Sequence, residues 1–245
     1  MYDDVSPATI DPALIAPVYS PRTILLAGLG IALGVLAAAV VLPAWLPGLS
    51  QSLLGAQPKV YWYLSRASGL VAFVLIWLSM VWGLLVSNRM ARQWPGVAAA
   101  VDLHQHASLL GLGFALFHGL ILIGDRFAHY SLAQLLVPFA VAGYRPLWVG
   151  IGQLGFYVVA LVSLSFYVRR SIGTRTWRTI HNLSFAAYTM ALIHGVMSGS
   201  ETSVSWVRAF YWGSAVVLLF LTIYRILVAR LSPARPRTPG LERAG

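Results

Sequence analysis

DLHQHASLLGLGFALFHGLILI (residues 102–123) and WRTIHNLSFAAYTMALIHGVM (residues 177–197) each carry two histidines through an apolar run, at intervals of 14 for His104 and His118 and 13 for His181 and His194. At 1.5 Å per residue on a helix, the members of a pair stand about 20 Å apart along the axis. That fits within a bilayer's hydrocarbon core of about 30 Å. Two such helices side by side would hold one pair of imidazoles near each membrane face.

The rest of the chain agrees with a membrane setting. Of 245 residues 58% are hydrophobic and only 10% charged, and the mean hydropathy is +0.75, a balance that excludes a water-soluble domain of this size. Apolar runs at 23–46, 64–87, 103–123, 147–168, 180–198 and 208–230 are each near the twenty residues a crossing needs. The expected fold is an all-α polytopic membrane protein with a six-helix transmembrane bundle over residues 23–230. Residues 1–22 form an N-terminal tail and 231–245 a basic C-terminal tail, both Pro-containing, polar and expected to be disordered at their ends. The first run exceeds a signal-peptide core and follows a long acidic leader, so it reads as a retained helix.

The net charge of +10 follows topology and gives no indication of nucleic acid binding. With the N-terminus inside, twelve arginines fall on the cytoplasmic side: Arg22, Arg89, Arg92, Arg169, Arg170, Arg175, Arg178, Arg225, Arg230, Arg235, Arg237 and Arg243. Only Lys59, Arg66, Arg126, Arg145 and Arg208 fall outside, which places both termini in the cytoplasm of a plasma (inner) membrane protein. Under this topology the third and fifth helices run parallel. His104 then lies level with His181 on the inner side, and His118 with His194 on the outer side.

The absence of cysteine excludes disulfides, iron–sulfur clusters, covalent c-type haem and thiolate metal sites. An imidazole in hydrocarbon needs a partner, and a lone one most often finds it in an interhelical hydrogen bond. Four at matched depths point further, to two haems b with His104, His118, His181 and His194 as axial iron ligands. His106 is a weaker alternative to His104, because its shorter interval to His118 turns it by about 120° on an ideal helix. Thirteen residues on an ideal helix put His194 about 140° from His181, so a local distortion is expected between Leu183 and Ile193. Gly119 and Gly195 follow the outer ligands, and Gly111 and Gly113 lie between the levels. They suit either close approach of a macrocycle or helix packing. Asp102 reads as the N-cap of the third helix.

Two arginines are candidate cofactor-binding residues. Arg66 either snorkels to the outer surface or pairs with an outer haem propionate, and Arg178, three residues before His181, is its inner counterpart. The loop GDRFAHYSLAQLLVPFAVAGYRP (124–146) holds a short apolar stretch interrupted by Pro138, which suits an interfacial segment roofing the outer level. His129 in that loop reads as an interfacial polar residue.

The histidine intervals, the His118–Gly119 and His194–Gly195 pairs, the segment RTWRTIH before the fifth helix and YRPLWVGIGQLGFYVVAL at the fourth together resemble the ferric reductase-like transmembrane domain family. That family includes ferric reductases, the NADPH oxidase membrane domain and the haem-binding membrane subunit of the bacterial methionine sulfoxide reductase system. The resemblance covers roughly residues 60–230. It implies two b haems on the four histidines and transmembrane electron transfer, from a cytoplasmic donor to an outer acceptor. Those reductases and oxidases continue into a flavin and nicotinamide module, whereas this sequence stops. The expected donor is therefore a separate protein, a quinol or a free flavin. In the superoxide-producing oxidases a further histidine follows the outer third-helix ligand by one turn; here that position is Leu122. Two other functions fit the composition: a non-redox transporter using the histidines as relay or ligands, and a structural or assembly subunit of a larger membrane redox complex.

Overall fold

The computed structural model describes residues 16–45, 60–125 and 130–231, and all regular structure among them is helical. Eight α-helices follow in order: α1 (Pro21–Trp45), α2 (Val60–Ser87), α3 (Val97–Leu120), α4 (Leu132–Leu136), α5 (Pro146–Ile172), α6 (Thr174–Asn182), α7 (Ser184–Ser198) and α8 (Ser205–Leu231). The two expected tails lie outside the described residues except for 16–22 and 231, and so does His129.

Four segments are long and apolar enough to cross a membrane: Val60–Ser87, Val97–Gly124, Pro146–Ile172 and Ser205–Leu231. Six continuous spans were expected, and the fifth of them differs. The fifth is interrupted at Leu183, leaving a 9-residue and a 15-residue helix. Fifteen residues reach only about 22 Å, short of the hydrocarbon thickness of about 30 Å. The physical cause lies in TRTWRTIHN, whose arginines and threonines form a polar face around the buried Trp177, the pattern of a helix that lies in an interface. The first expected span falls on α1, whose apolar helix among the described residues is Pro21–Ile31.

Helix boundaries follow local chemistry. Arg89 takes a left-handed conformation (φ 63°) just after α2, and Gly96 does so (φ 100°) as the cap of α3. α3 therefore begins five residues before Asp102, which sits inside the helix rather than capping it. Pro146 occupies the first turn of α5, where its missing N–H costs nothing, and Gly173 (φ 80°) ends that helix and starts α6.

α2 packs antiparallel along α3, and α5 along α7, with α2 also meeting α7 and α8. The buried core gathers Phe73, Met80, Leu84, Tyr188, Tyr211 and Leu218 from α2, α7 and α8. Phe73 sits at its centre, 4.7 Å from the Tyr211 ring and 5.8 Å from Tyr188, whose hydroxyl hydrogen-bonds Ser214 Oγ at 2.8 Å. These rings join α2, α7 and α8 in one core.

The loop between α3 and α5 packs back on the helices. Ser131 and Gln134 form a capping box that starts α4. Gln153 Nε2 of α5 donates to the carbonyls of Gln134 and Leu135 at 2.7 and 2.8 Å. Leu135 is thereby laid against Gly119, one residue beyond His118.

Candidate functional site

The four histidines meet as two pairs. The rings of His104 and His181 have centroids 5.9 Å apart, and those of His118 and His194 are 6.1 Å apart, each pair with planes inclined at 74°. These are the level-matched partners expected from the sequence, so the chain from His181 to His194 runs in the same sense as α3. The helix break at Leu183 (ψ −11°), whose N–H bonds back to Ile180 at 3.0 Å, supplies the distortion that lets the shorter interval from His181 to His194 match the longer one on α3.

Three of the four rings are fixed through Nδ1. His104 Nδ1 lies 2.8 Å from the Ser79 carbonyl, His118 Nδ1 2.7 Å from the Ser65 carbonyl and His194 Nδ1 2.9 Å from the Trp148 carbonyl. A carbonyl only accepts, so Nδ1 carries the proton in each ring and Nε2 presents its lone pair. Ser65 and Ser79 add their hydroxyls, each 3.1 Å from the same Nδ1.

The seats repeat. Four residues beyond each carbonyl stands a glycine: Gly69 after Ser65, Gly83 after Ser79, Gly152 after Trp148. A Cβ at Gly69 would lie 2.8 Å from His118 Nδ1, one at Gly83 3.3 Å from His104 Cε1, and one at Gly152 2.6 Å from His194 Cγ. The imidazoles lie against helix backbone where a Cβ would crowd the ring, most at Gly152 and least at Gly83. On α2 the two seats are separated by the same interval as His104 and His118 on the antiparallel neighbour.

Sequence reasoning missed these seats. The signal was present as SRASG (65–69) and SMVWG (79–83), a Ser-x-x-x-Gly element that recurs at the interval of the α3 histidines. The glycines it did single out serve helix packing instead. A Cβ at Gly195 would meet the Tyr211 hydroxyl at 2.7 Å, one at Gly111 would meet Ile76 at 3.2 Å, one at Gly119 would meet Leu135, and Gly113 faces open space.

His181 is held differently. Its ring stacks on Trp177 at 5.0 Å and 29°. Displaced from Gly152 by that same interval along α5, where a fourth glycine seat would stand, is Phe166, which packs against Trp177 at 6.3 Å. Beside this pair opens a cavity of about 820 Å³, reaching Ser79, His104, Trp177, Arg178 and His181. Arg89, Arg92 and Arg225 also line it, and no acidic residue does among the described residues.

The remaining candidates separate. Arg178 lies on the cavity wall. Arg66 forms an ion pair with Glu201, in the turn before α8, which commits its guanidinium within the protein. His106 stays out of both pairs: its Nδ1 donates to the Asp102 carbonyl at 2.7 Å, and its ring meets the edge of Tyr19. No group of three or more His, Cys, Asp or Glu able to hold a metal ion occurs among the described residues.

No protein-family model, curated protein or solved structure matches this chain.

Proposed function

We propose that the chain is a b-type cytochrome that carries electrons across a membrane between two bis-histidine haems, one on His104 and His181 and one on His118 and His194. The observation that carries this reading is the paired geometry. A metal–imidazole bond is about 2.0–2.1 Å, which puts the centroids of two rings trans across one metal roughly 6.3 Å apart. A direct ring-to-ring hydrogen bond would close that separation to about 5.2 Å. The separations of 5.9 and 6.1 Å lie nearer the former, at both levels alike.

Two further features support it. Donation of Nδ1–H to a backbone carbonyl is what orients a metal-ligating histidine and raises the basicity of its other nitrogen. Two protein ligands per level are also too few for a bare ion, but they are the number needed by an iron whose other four ligands come from a macrocycle. A bound haem supplies reversible one-electron chemistry. The chain's own residues hold the rings at fixed spacing and line the cavity beside His104 and His181 with arginines.

The arginine excess on the side of α6 makes that side cytoplasmic in this reading, with both termini there and the chain in the plasma (inner) membrane. A separate protein, a quinol or a free flavin then donates at the level of His104 and His181. An outer acceptor draws from the level of His118 and His194.

The test is a dithionite-reduced minus oxidised spectrum of the purified protein with a pyridine haemochrome count, repeated on His118→Ala and His181→Ala. Two b haems are expected, with one lost or converted to high spin in each variant. A folded wild-type protein with no Soret band would refute the cytochrome and favour a transporter or a structural subunit.

A further inference from the structure

Trp177 is the least explained residue of the cavity. It is 9% exposed, its indole Nε1–H has no hydrogen-bond partner among the described residues, and it lines the same space as His104, His181 and Arg178. A buried donor left unpaired costs about 1–3 kcal/mol, so such a group calls for a partner that arrives with a ligand. The surroundings specify the partner's charge, since among the described residues four arginines and no carboxylate line the cavity. An acidic acceptor, and above all a carboxylate, satisfies both the indole and the guanidinium groups.

The same residue stands in for the missing seat of His181. The other three rings lie over glycine and donate to a carbonyl, whereas His181 stacks on the Trp177 indole at 5.0 Å. Phe166 backs that indole from α5, and the helix breaks two residues after His181.

Resting on the haem reading above, we infer that Trp177 is a double-acting positioning residue: its face sets the plane of His181, and its N–H binds a carboxylate of the haem at that level. The two roles separate by substitution. Trp177→Phe keeps a stacking face and removes the donor. Trp177→Leu removes both.

Potentiometric titration and carbon monoxide binding of the purified holoprotein test this, with the His118–His194 haem as internal control for folding. A donor to a haem carboxylate offsets its negative charge and favours the reduced iron. In Trp177→Phe one of the two redox components should therefore shift about tenfold toward the oxidised form, about 59 mV to lower potential for a one-electron couple. The other component should stay in place. The shifting component is assigned by its absence from His104→Ala. In Trp177→Leu the same component should in addition acquire a high-spin spectrum and bind carbon monoxide once reduced. Unchanged potentials in Trp177→Phe, or equal shifts in both components, would overturn the hydrogen bond; a Trp177→Leu protein that stays low-spin at both levels would overturn the stacking role. A colourless wild type would sink the cytochrome reading itself, whereas a wild type with two haems and silent Trp177 variants would sink only this inference.

Discussion

Adding one methyl group at each glycine seat should damage the sites in a fixed order. At Gly152 the new Cβ would stand 2.6 Å from His194 Cγ and closer still to its Nδ1. Restoring an ordinary contact requires the ring to move by about 1 Å. The Nδ1–H bond to Trp148, now 2.9 Å, would then be lost. Overpacking costs about 1–3 kcal/mol and the hydrogen bond about 0.5–1.5 kcal/mol, against a gain of about 1 kcal/mol in helix propensity. A net cost of about 2 kcal/mol corresponds to roughly 30-fold weaker haem retention. At Gly69 the contacts are 2.8 and 2.9 Å, so Gly69→Ala should be milder. At Gly83 they are 3.3 and 3.4 Å, which His104 accommodates by a few tenths of an ångström, so Gly83→Ala should be close to neutral. Haem transfer to excess apomyoglobin, followed by the spectrum of what remains, measures the order. Gly152→Ala and Gly69→Ala should release the His118–His194 haem, and only Gly83→Ala should touch the other. A Gly83→Ala protein that loses haem as fast as Gly152→Ala, or a Gly152→Ala protein that retains both haems unchanged, would refute the reasoning.

Three further outcomes follow from the contacts. His106→Ala should retain both haems with unaltered spectra, because that ring is occupied by Asp102 and Tyr19; loss of a haem on the pyridine haemochrome count would restore it as a ligand. Ser79→Ala removes a hydroxyl that lies 2.6 Å from Ser108 Oγ while leaving the carbonyl that orients His104, so both haems should remain and thermal stability should fall by about 1 kcal/mol. Arg66→Gln breaks a half-exposed pair with Glu201, so stability should change by less than about 1 kcal/mol and the potential of the His118–His194 haem should not move; a shifted potential would assign Arg66 to a haem carboxylate after all.

The two histidine levels were legible in the sequence because helical rise and depth in a membrane depend on position alone. His104 and His118 could be placed without knowing what they touch. The distortion near Leu183 was legible for the same reason, since the interval from His181 to His194 leaves the wrong angle on any regular helix. The span count was less so. Hydropathy over 180–198 hid the polar face of α6, which shows only once Arg175 and Arg178 are set against the buried Trp177. Least legible were Ser65, Gly69, Ser79 and Gly83, whose meaning depends on α2 lying antiparallel to α3 in one register. Gly119 and Gly195 drew attention by standing next to histidines in the chain, whereas the glycines that seat the rings belong to other helices.

The matched repeat on α2 and α3 acts as a ruler with coarse graduations. One residue inserted into α3 between His104 and His118 would turn one ring by about 100° from its glycine, and no compensating change on a side chain could restore the seat. Seven residues removed from both helices would return each side chain to within about 20° of its former face and bring the levels to roughly 10 Å. The separation of the two sites can thus change only in steps of about two helical turns, taken by both helices at once, while the break at Leu183 leaves the opposing strand of the ladder free to adjust its phase.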